Sequence, residues 1–163
     1  MTGRPNNHRA NKTGRDATTG GEHWTKLVRP TMETPAWRAL SLVAQALYPW
    51  LKMEWRGPHT NNNGSIRLSV RQAARALGVS NDTAAKGFHD LQAKGFLVMT
   101  EAAVLGLEGQ AKSSAFEMTE LAVNPARDCS RLYLTWQPGH DFAVRRSTAN
   151  NPAGRNGKNI NLS

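Results

Sequence analysis

Residues 70–97 read VRQAARALGVSNDTAAKGFHDLQAKGFL, and this stretch decides the fold. Just before it, Ser69 begins a Ser-x-x-Gln spacing with Gln72, a capping box that predicts a helix starting at Val70. Gly78 ends that helix, because glycine adopts the left-handed backbone of a sharp turn without the steric cost of a Cβ atom. The spacing therefore predicts a short helix followed by a tight turn.

A second helix follows this turn, with Ser80 as its N-cap, and it is predicted to reach about Lys94, where Gly95 ends it. Apolar residues recur along it at helical spacing and are expected in the core, namely Ala84, Phe88 and Leu91. The polar residues are expected to face outward, namely Asp82, Lys86, His89 and Asp90.

Upstream, a helix is predicted from about residue 35 to 48. Thr34 is a good N-cap, Pro35 suits the first helical position, and apolar residues then recur at helical spacing. Pro49 leaves two alternatives: the helix stops just before it, or it kinks and continues. Residues 59–64, HTNNNG, are predicted to form a polar turn or surface loop.

The predicted β-structure is small. Ile66, Leu68 and Val70 alternate with polar residues, which is typical of a short half-buried strand. Two further β-favouring runs, 96–100 and 115–119, predict a hairpin with a long tip at about residues 105–114. Residues 131–136 are predicted to pack back on the domain as a short helix or a strand. The predicted class is therefore mainly α with a small β-hairpin, an α+β fold.

This order of elements resembles a winged helix, and residues 70–97 are similar to the helix-turn-helix of winged-helix regulators of the GntR and MarR classes. The similarity lies in Leu-Gly-Val-Ser ending at Ser80, in Thr83 three residues later, and in the Lys-Gly-Phe-Leu ending. It implies a DNA-binding protein whose recognition helix, about Ser80 to Lys94, enters the major groove. The chain departs from GntR regulators, because it has no arginine near the start of that helix and no room for a separate effector domain.

The resemblance and the side-chain chemistry together predict a set of DNA-binding residues. Asparagine and lysine can pair with adenine and guanine edges, and aspartate can accept from cytosine, although an acid at the helix start also repels phosphates. On the recognition helix the candidates are Ser80, Asn81, Asp82, Thr83, Lys86 and His89. Arg71 and Arg75 share a face of the preceding helix and either grip the DNA backbone or form a solvated face. Lys112 is either a contact from the wing or part of an ordinary flexible hairpin.

The charge of the chain points to a polyanionic partner. The net charge is +9, of which residues 1–29 contribute +4, residues 139–163 contribute +3 and the middle only +2. We therefore predict a domain at 26–138 between a disordered basic arm at 1–25 and a disordered basic tail at 139–163. Such arms are expected to track phosphates beside a folded reader of double-stranded DNA, and the alternative is that they only aid solubility.

Several functions are not expected. The sequence lacks a Gly-rich phosphate loop, a nucleophile elbow and an HExxH motif, so no enzyme, metal or cofactor is predicted. The single cysteine, Cys129, excludes an internal disulfide. The chain has no long apolar run and no signal peptide, so it is expected in the cytoplasm, at the bacterial nucleoid.

Three functions remain open. The first is a sequence-specific transcriptional regulator. The second is a replication initiator or excision factor of a plasmid, phage or integrative element, which binds arrays of sites. The third is a winged-helix module that contacts protein. Core packing accounts for most of the five tryptophans, which cluster in and beside the first predicted helix, and an exposed subset is a candidate surface for a homodimer or higher oligomer.

Overall fold

A computed structural model of the chain describes residues 23–104 and 111–147. It has an α+β fold. The helices are α1 (Arg29–Met32), α2 (Pro35–Arg38), α3 (Leu42–Met53), α4 (Val70–Leu77) and α5 (Asn81–Ala93). The strands are β1 (Ile66–Arg67), β2 (Leu97–Glu101) and β3 (Ala115–Met118), and a 3-10 helix follows at Leu132–Leu134. In the part of the chain described, no helix has the length and apolar character needed to cross a membrane.

The three strands form one antiparallel sheet in the order β1-β3-β2. Phe116 of β3 pairs with Ile66 on one side and with Met99 on the other, so β3 is the central strand and all of it is buried. The predicted hairpin is confirmed. The predicted strand after residue 65 is only two residues long, because Ser69 is already the N-cap of α4. Residues 105–110, most of the predicted tip, lie outside the described residues.

The caps of α4 and α5 are those predicted from sequence. The amide of Gln72 donates to the Ser69 hydroxyl at 3.2 Å, and the Gln72 side chain accepts from the Ser69 amide at 3.0 Å. The Ser80 hydroxyl accepts from the Thr83 amide at 3.1 Å. Gly78, which ends α4, has a φ of +66°, a conformation that strains any residue with a Cβ atom.

The prediction of one helix over 35–48 is wrong, because the chain breaks between α2 and α3. Ser41 starts α3 as its N-cap, and its own amide donates to the Asp90 carboxylate at 2.6 Å. Asp90, predicted to face outward, therefore fixes α3 to α5. The helix does not stop before Pro49, since α3 continues through it to Met53. Burial of the flanking Tyr48 and Leu51 offsets the cost of an interior proline, about 3 kcal/mol.

The core lies between α3, α5 and the sheet, and aromatic rings fill its centre. Trp37 and Tyr48 meet edge to face with ring centroids 5.3 Å apart, and each also meets Phe96 edge to face at 5.6 Å. Tyr133, in the 3-10 helix, stacks on the other side of Phe96 at 4.7 Å. Residues 131–136 thus pack back on the domain as predicted, and of the two predicted forms they adopt a short helix.

Residues 59–64 form a polar turn, one of the two predicted forms, and its asparagines also bind distant parts of the backbone. Asn63 is only 6% exposed, and its side chain accepts from the Met118 amide at 2.8 Å. The same side chain donates to the carbonyls of Met118 and Leu121 at 3.0 and 2.8 Å. Asn61 accepts from the Trp55 indole at 2.9 Å. These asparagines bind the backbone where β3 ends, because β1 no longer pairs with β3 there, whereas β2 still does.

The ordered domain extends beyond residue 138, where sequence placed the start of a disordered tail. Residues 141–147, which we call the strap, contact α5 and β2. The Phe142 amide donates to the Ala93 carbonyl at 2.9 Å, and the Asp141 carboxylate accepts from Lys94 at 2.6 Å. Nearly all of the predicted N-terminal arm, residues 1–22, lies outside the described part of the chain. The rest of the predicted tail, residues 148–163, lies outside it as well.

A buried ion pair joins α3 to the segment after β3. Lys52 is 2.6 Å from the Glu120 carboxylate, which also accepts from the hydroxyls of Tyr48 and Thr31 at 2.7 and 2.8 Å. Burial by itself would raise the pKa of Glu120, but the hydrogen bonds from Lys52, Tyr48 and Thr31 and the charge of Lys52 outweigh it and hold this pKa below its usual value.

We expect Asn63→Ala to lower the free energy of unfolding by about 2 to 3 kcal/mol, because it leaves the Met118 amide and the Leu121 carbonyl without the side chain that binds them. Urea unfolding measures this change. The control is Ser65→Ala at an exposed neighbouring position, for which we expect less than about 0.5 kcal/mol. Equal effects of the two variants would contradict the structural role of Asn63.

We expect the Lys52–Glu120 ion pair to make the free energy of unfolding depend on pH. The pKa of Glu120 in the folded protein lies below its usual value of 4.5. The ion pair therefore stabilises the fold above pH 4.5, and this stabilisation is lost as the pH falls through the folded pKa. Glu120→Gln should cost about 3 kcal/mol near neutral pH, and the difference from wild type should shrink below pH 4.5. Denaturant unfolding between neutral and acidic pH tests this, with Glu33→Gln as the exposed control. A difference that stays constant with pH would contradict it.

Candidate nucleic-acid interface

A groove of about 970 Å³ runs along the outer face of α5. Its floor and first wall are α5 and the start of α4, its second wall is the β2–β3 hairpin, and the strap enters it at one end. The polar and charged residues of α4 and α5 that line it are Ser69, Arg71, Gln72, Asn81, Lys86, His89 and Gln92.

The groove is positively charged. Among the described residues that line it, the charged ones are all basic: Arg71, Lys86, Lys112, Arg145 and Arg146. Within the described part of the chain, none of these five forms an ion pair with an acid. Such a surface attracts a polyanion, since the field of several like charges adds up in a concave site.

The candidate residues of α5 divide into two groups. Asn81 and Lys86 are exposed and His89 is partly buried, and all three line the groove. Ser80, Asp82 and Thr83 lie at the start of the helix and do not line it. The hydroxyls of Ser80 and Thr83 are 2.8 Å apart, so the Thr83 hydroxyl is part of the helix cap.

The two arginines of α4 differ in their position relative to the groove. Both Arg71 and Arg75 are exposed, but only Arg71 lines the groove. Arg71 lies in the first turn of α4, whereas Arg75 is one turn further along. The structure therefore brings Arg71, and not Arg75, together with Lys86.

At its base, the β2–β3 hairpin is held to β1 by a side chain. The Arg67 guanidinium binds both the Ser113 carbonyl and the Glu101 carboxylate, so this arginine joins β1 to both arms of the hairpin. Further out, Lys112 pairs with Val104 through two backbone hydrogen bonds of 2.9 and 3.0 Å. The exposed Lys112 side chain is thereby held at the rim of the groove.

Arg145 and Arg146 were not among the site residues predicted from the sequence, because they were placed in the C-terminal tail. The structure places both in the groove, between α5 and β2. One sequence signal was available: Phe142 and Val144 alternate with exposed residues, which is the period of an extended segment with one buried face. Two such residues are too few for a prediction without knowledge of the surface on which they pack.

The described residues contain no group of three histidine, cysteine or acidic side chains arranged to hold a metal ion. The Cys129 thiol donates to Asp128 at 3.2 Å, far along the chain from the groove residues of α4 and α5. Comparisons of the chain with protein-family models, with curated proteins and with solved structures returned no match.

Proposed function

We propose that this protein is a winged helix-turn-helix protein that binds double-stranded DNA in a sequence-specific manner, with α5 in the major groove. The observation that carries the proposal is the groove beside α5, whose charged lining residues in the described chain are all basic. The order of α3, β1, α4, α5, β2 and β3, with β1 paired to β3, supports the winged helix.

The dimensions of α5 suit this role. Its 13 residues span roughly 20 Å at about 1.5 Å per residue, and a helix fits the major groove, which is about 12 Å wide. Asn81 can pair bidentately with adenine and Lys86 can reach guanine, so these two side chains are the proposed readers of sequence. Arg71 and Lys112 then contact phosphates on either side, which sets the register of the helix.

Transcriptional regulation is the function that we propose for this DNA binding. A second candidate is a replication or recombination accessory factor of a mobile element. It is favoured by the fact that the elements described form one small domain, with no separate effector domain in residues 23–104 and 111–147. A regulator is expected to bind one or two sites near promoters, whereas an accessory factor is expected to bind arrays of sites cooperatively.

We expect selection of duplexes from a random library by the full-length protein, near physiological salt, to yield a sequence motif. Asn81→Ala with Lys86→Ala should lose that motif, because each lost base contact costs about 1 to 3 kcal/mol of discrimination. The matched control is Arg38→Ala, an exposed arginine outside the groove, which should keep the motif. An unchanged motif in the double variant would exclude α5 as the reader, and the absence of any motif would favour a protein partner.

We expect Arg71→Ala and Arg75→Ala to differ, although they remove the same charge from exposed positions of the same helix. Arg71→Ala should weaken binding to all duplexes and lower the slope of log affinity against log salt by about 1, because one phosphate contact is lost. Arg75→Ala should leave the slope near that of wild type. Fluorescence anisotropy in a salt series measures both, and equal slopes for the two variants would contradict the proposed placement of the duplex.

A further inference from the structure

The strap, residues 141–147, crosses the end of the groove from the C-terminal part of α5 to β2. We propose that it is a preassembled phosphate clamp, which holds Arg145 and Arg146 against the DNA backbone between the recognition helix and the hairpin. This inference rests on the proposed function and assigns a role within it to a segment outside the helix-turn-helix.

The first half of the strap anchors it. The Asp141 carboxylate accepts from Lys94 at 2.6 Å and from the Trp136 indole at 2.8 Å. The Phe142 ring packs over Gly95, where an added Cβ atom would lie only 2.7 Å from that ring. Gly95 therefore has two tasks: it turns the chain with a φ of +80°, and it leaves room for the strap.

The second half positions the arginines. The Arg145 amide donates to the side-chain oxygen of Gln92, a residue that is only 5% exposed, at 3.2 Å. The Arg145 guanidinium donates to the Thr100 carbonyl of β2 at 3.3 Å. The Arg146 guanidinium lies 3.3 Å from the His89 ring on α5. One arginine thus lies against each wall of the groove.

The chemistry of these two side chains suits phosphate. A guanidinium has five N–H donors in a planar fork that matches two phosphate oxygens, so the bond from Arg145 to Thr100 leaves donors for a ligand. Both arginines are exposed on the groove side, where the described lining residues include no acid to compete with phosphate. In the proposed complex, the two arginines face the DNA backbone that lies between the hairpin and α5, which occupies the major groove.

Anchoring matters because a fixed contact costs less to form. A flexible basic tail loses conformational freedom when it follows the DNA backbone, whereas the strap is already held by α5 and β2. The clamp therefore predicts that release of the strap weakens binding even when the release removes a negative charge.

The test compares full-length variants on the selected duplex and on a scrambled duplex, by anisotropy from 0.05 to 0.2 M salt. Arg145→Ala with Arg146→Ala should weaken binding to both duplexes roughly 10- to 30-fold near 0.15 M salt and lower the salt slope by about 2, since two phosphate contacts are lost. The control is Arg38→Ala with Arg56→Ala, which removes the same charge from exposed positions outside the groove and should leave the slope nearly unchanged.

A second variant separates anchoring from net charge. Asp141→Ala makes the protein more positive, so simple electrostatics predicts tighter binding, whereas the clamp predicts weaker binding. Phe142→Ala releases the strap without a change of charge and should act in the same direction. Thermal unfolding shows whether each variant is folded, and truncation after Ser147 shows whether the remaining tail contributes separately.

The possible results are distinct. A wild-type slope for the double arginine variant, or tighter binding by any folded variant with a released strap, would overturn the clamp. The second of these results would mark the strap as a segment that blocks the groove. In both cases a motif read by Asn81 and Lys86 would leave the proposed function standing. Absence of duplex binding by the wild-type protein would overturn both proposals.

Discussion

Burial of one face of α5 is the constraint on which the rest of the structure depends. Phe88 stacks on Phe116 of β3 with ring centroids 5.3 Å apart, and Leu91 is fully buried. With that face fixed, Asp90 holds the start of α3 and the Ala93 carbonyl holds the strap. The groove lies along the neighbouring side of α5, between this buried face and the exposed Lys86, and Phe88 and Phe116 themselves form part of its lining.

The distribution of ion pairs explains why the groove is basic although the domain is nearly neutral. Among the described residues, the acids Glu101, Glu117, Glu120 and Asp141 pair with Arg67, Arg127, Lys52 and Lys94. These pairs join segments of the fold to one another, and none of the acids among the described residues lines the groove. The groove cations have no such partner among the described residues, so their charge is available to a polyanion. The middle of the chain can therefore have a small net charge and still carry one strongly basic surface.

Much of the helix-turn-helix region could be predicted because its signals are local. A cap such as Ser69 with Gln72, or a left-handed residue such as Gly78, acts within one turn of chain and needs no distant partner. The break in the predicted helix at 35–48 was missed although Ser41 caps α3 locally, and the Ser41 amide also binds Asp90, which lies 49 residues along the chain. The burial of Asn63 was not predicted because the backbone groups that its side chain binds lie 55 or more residues along the chain.

The sequence by itself determined the caps, the turn and the apolar faces of α4 and α5, and with them Asn81 and Lys86 as side chains on the outer face. These properties follow from the periodicity of a single helix and from its ends. Only the tertiary structure decided that Arg71 lies in the groove and Arg75 outside it, and that Arg145 and Arg146 belong to the same site as Lys86. The physical reason is that the position of the strap depends on buried contacts with α5 and β2, and residue spacing along the chain does not specify such contacts.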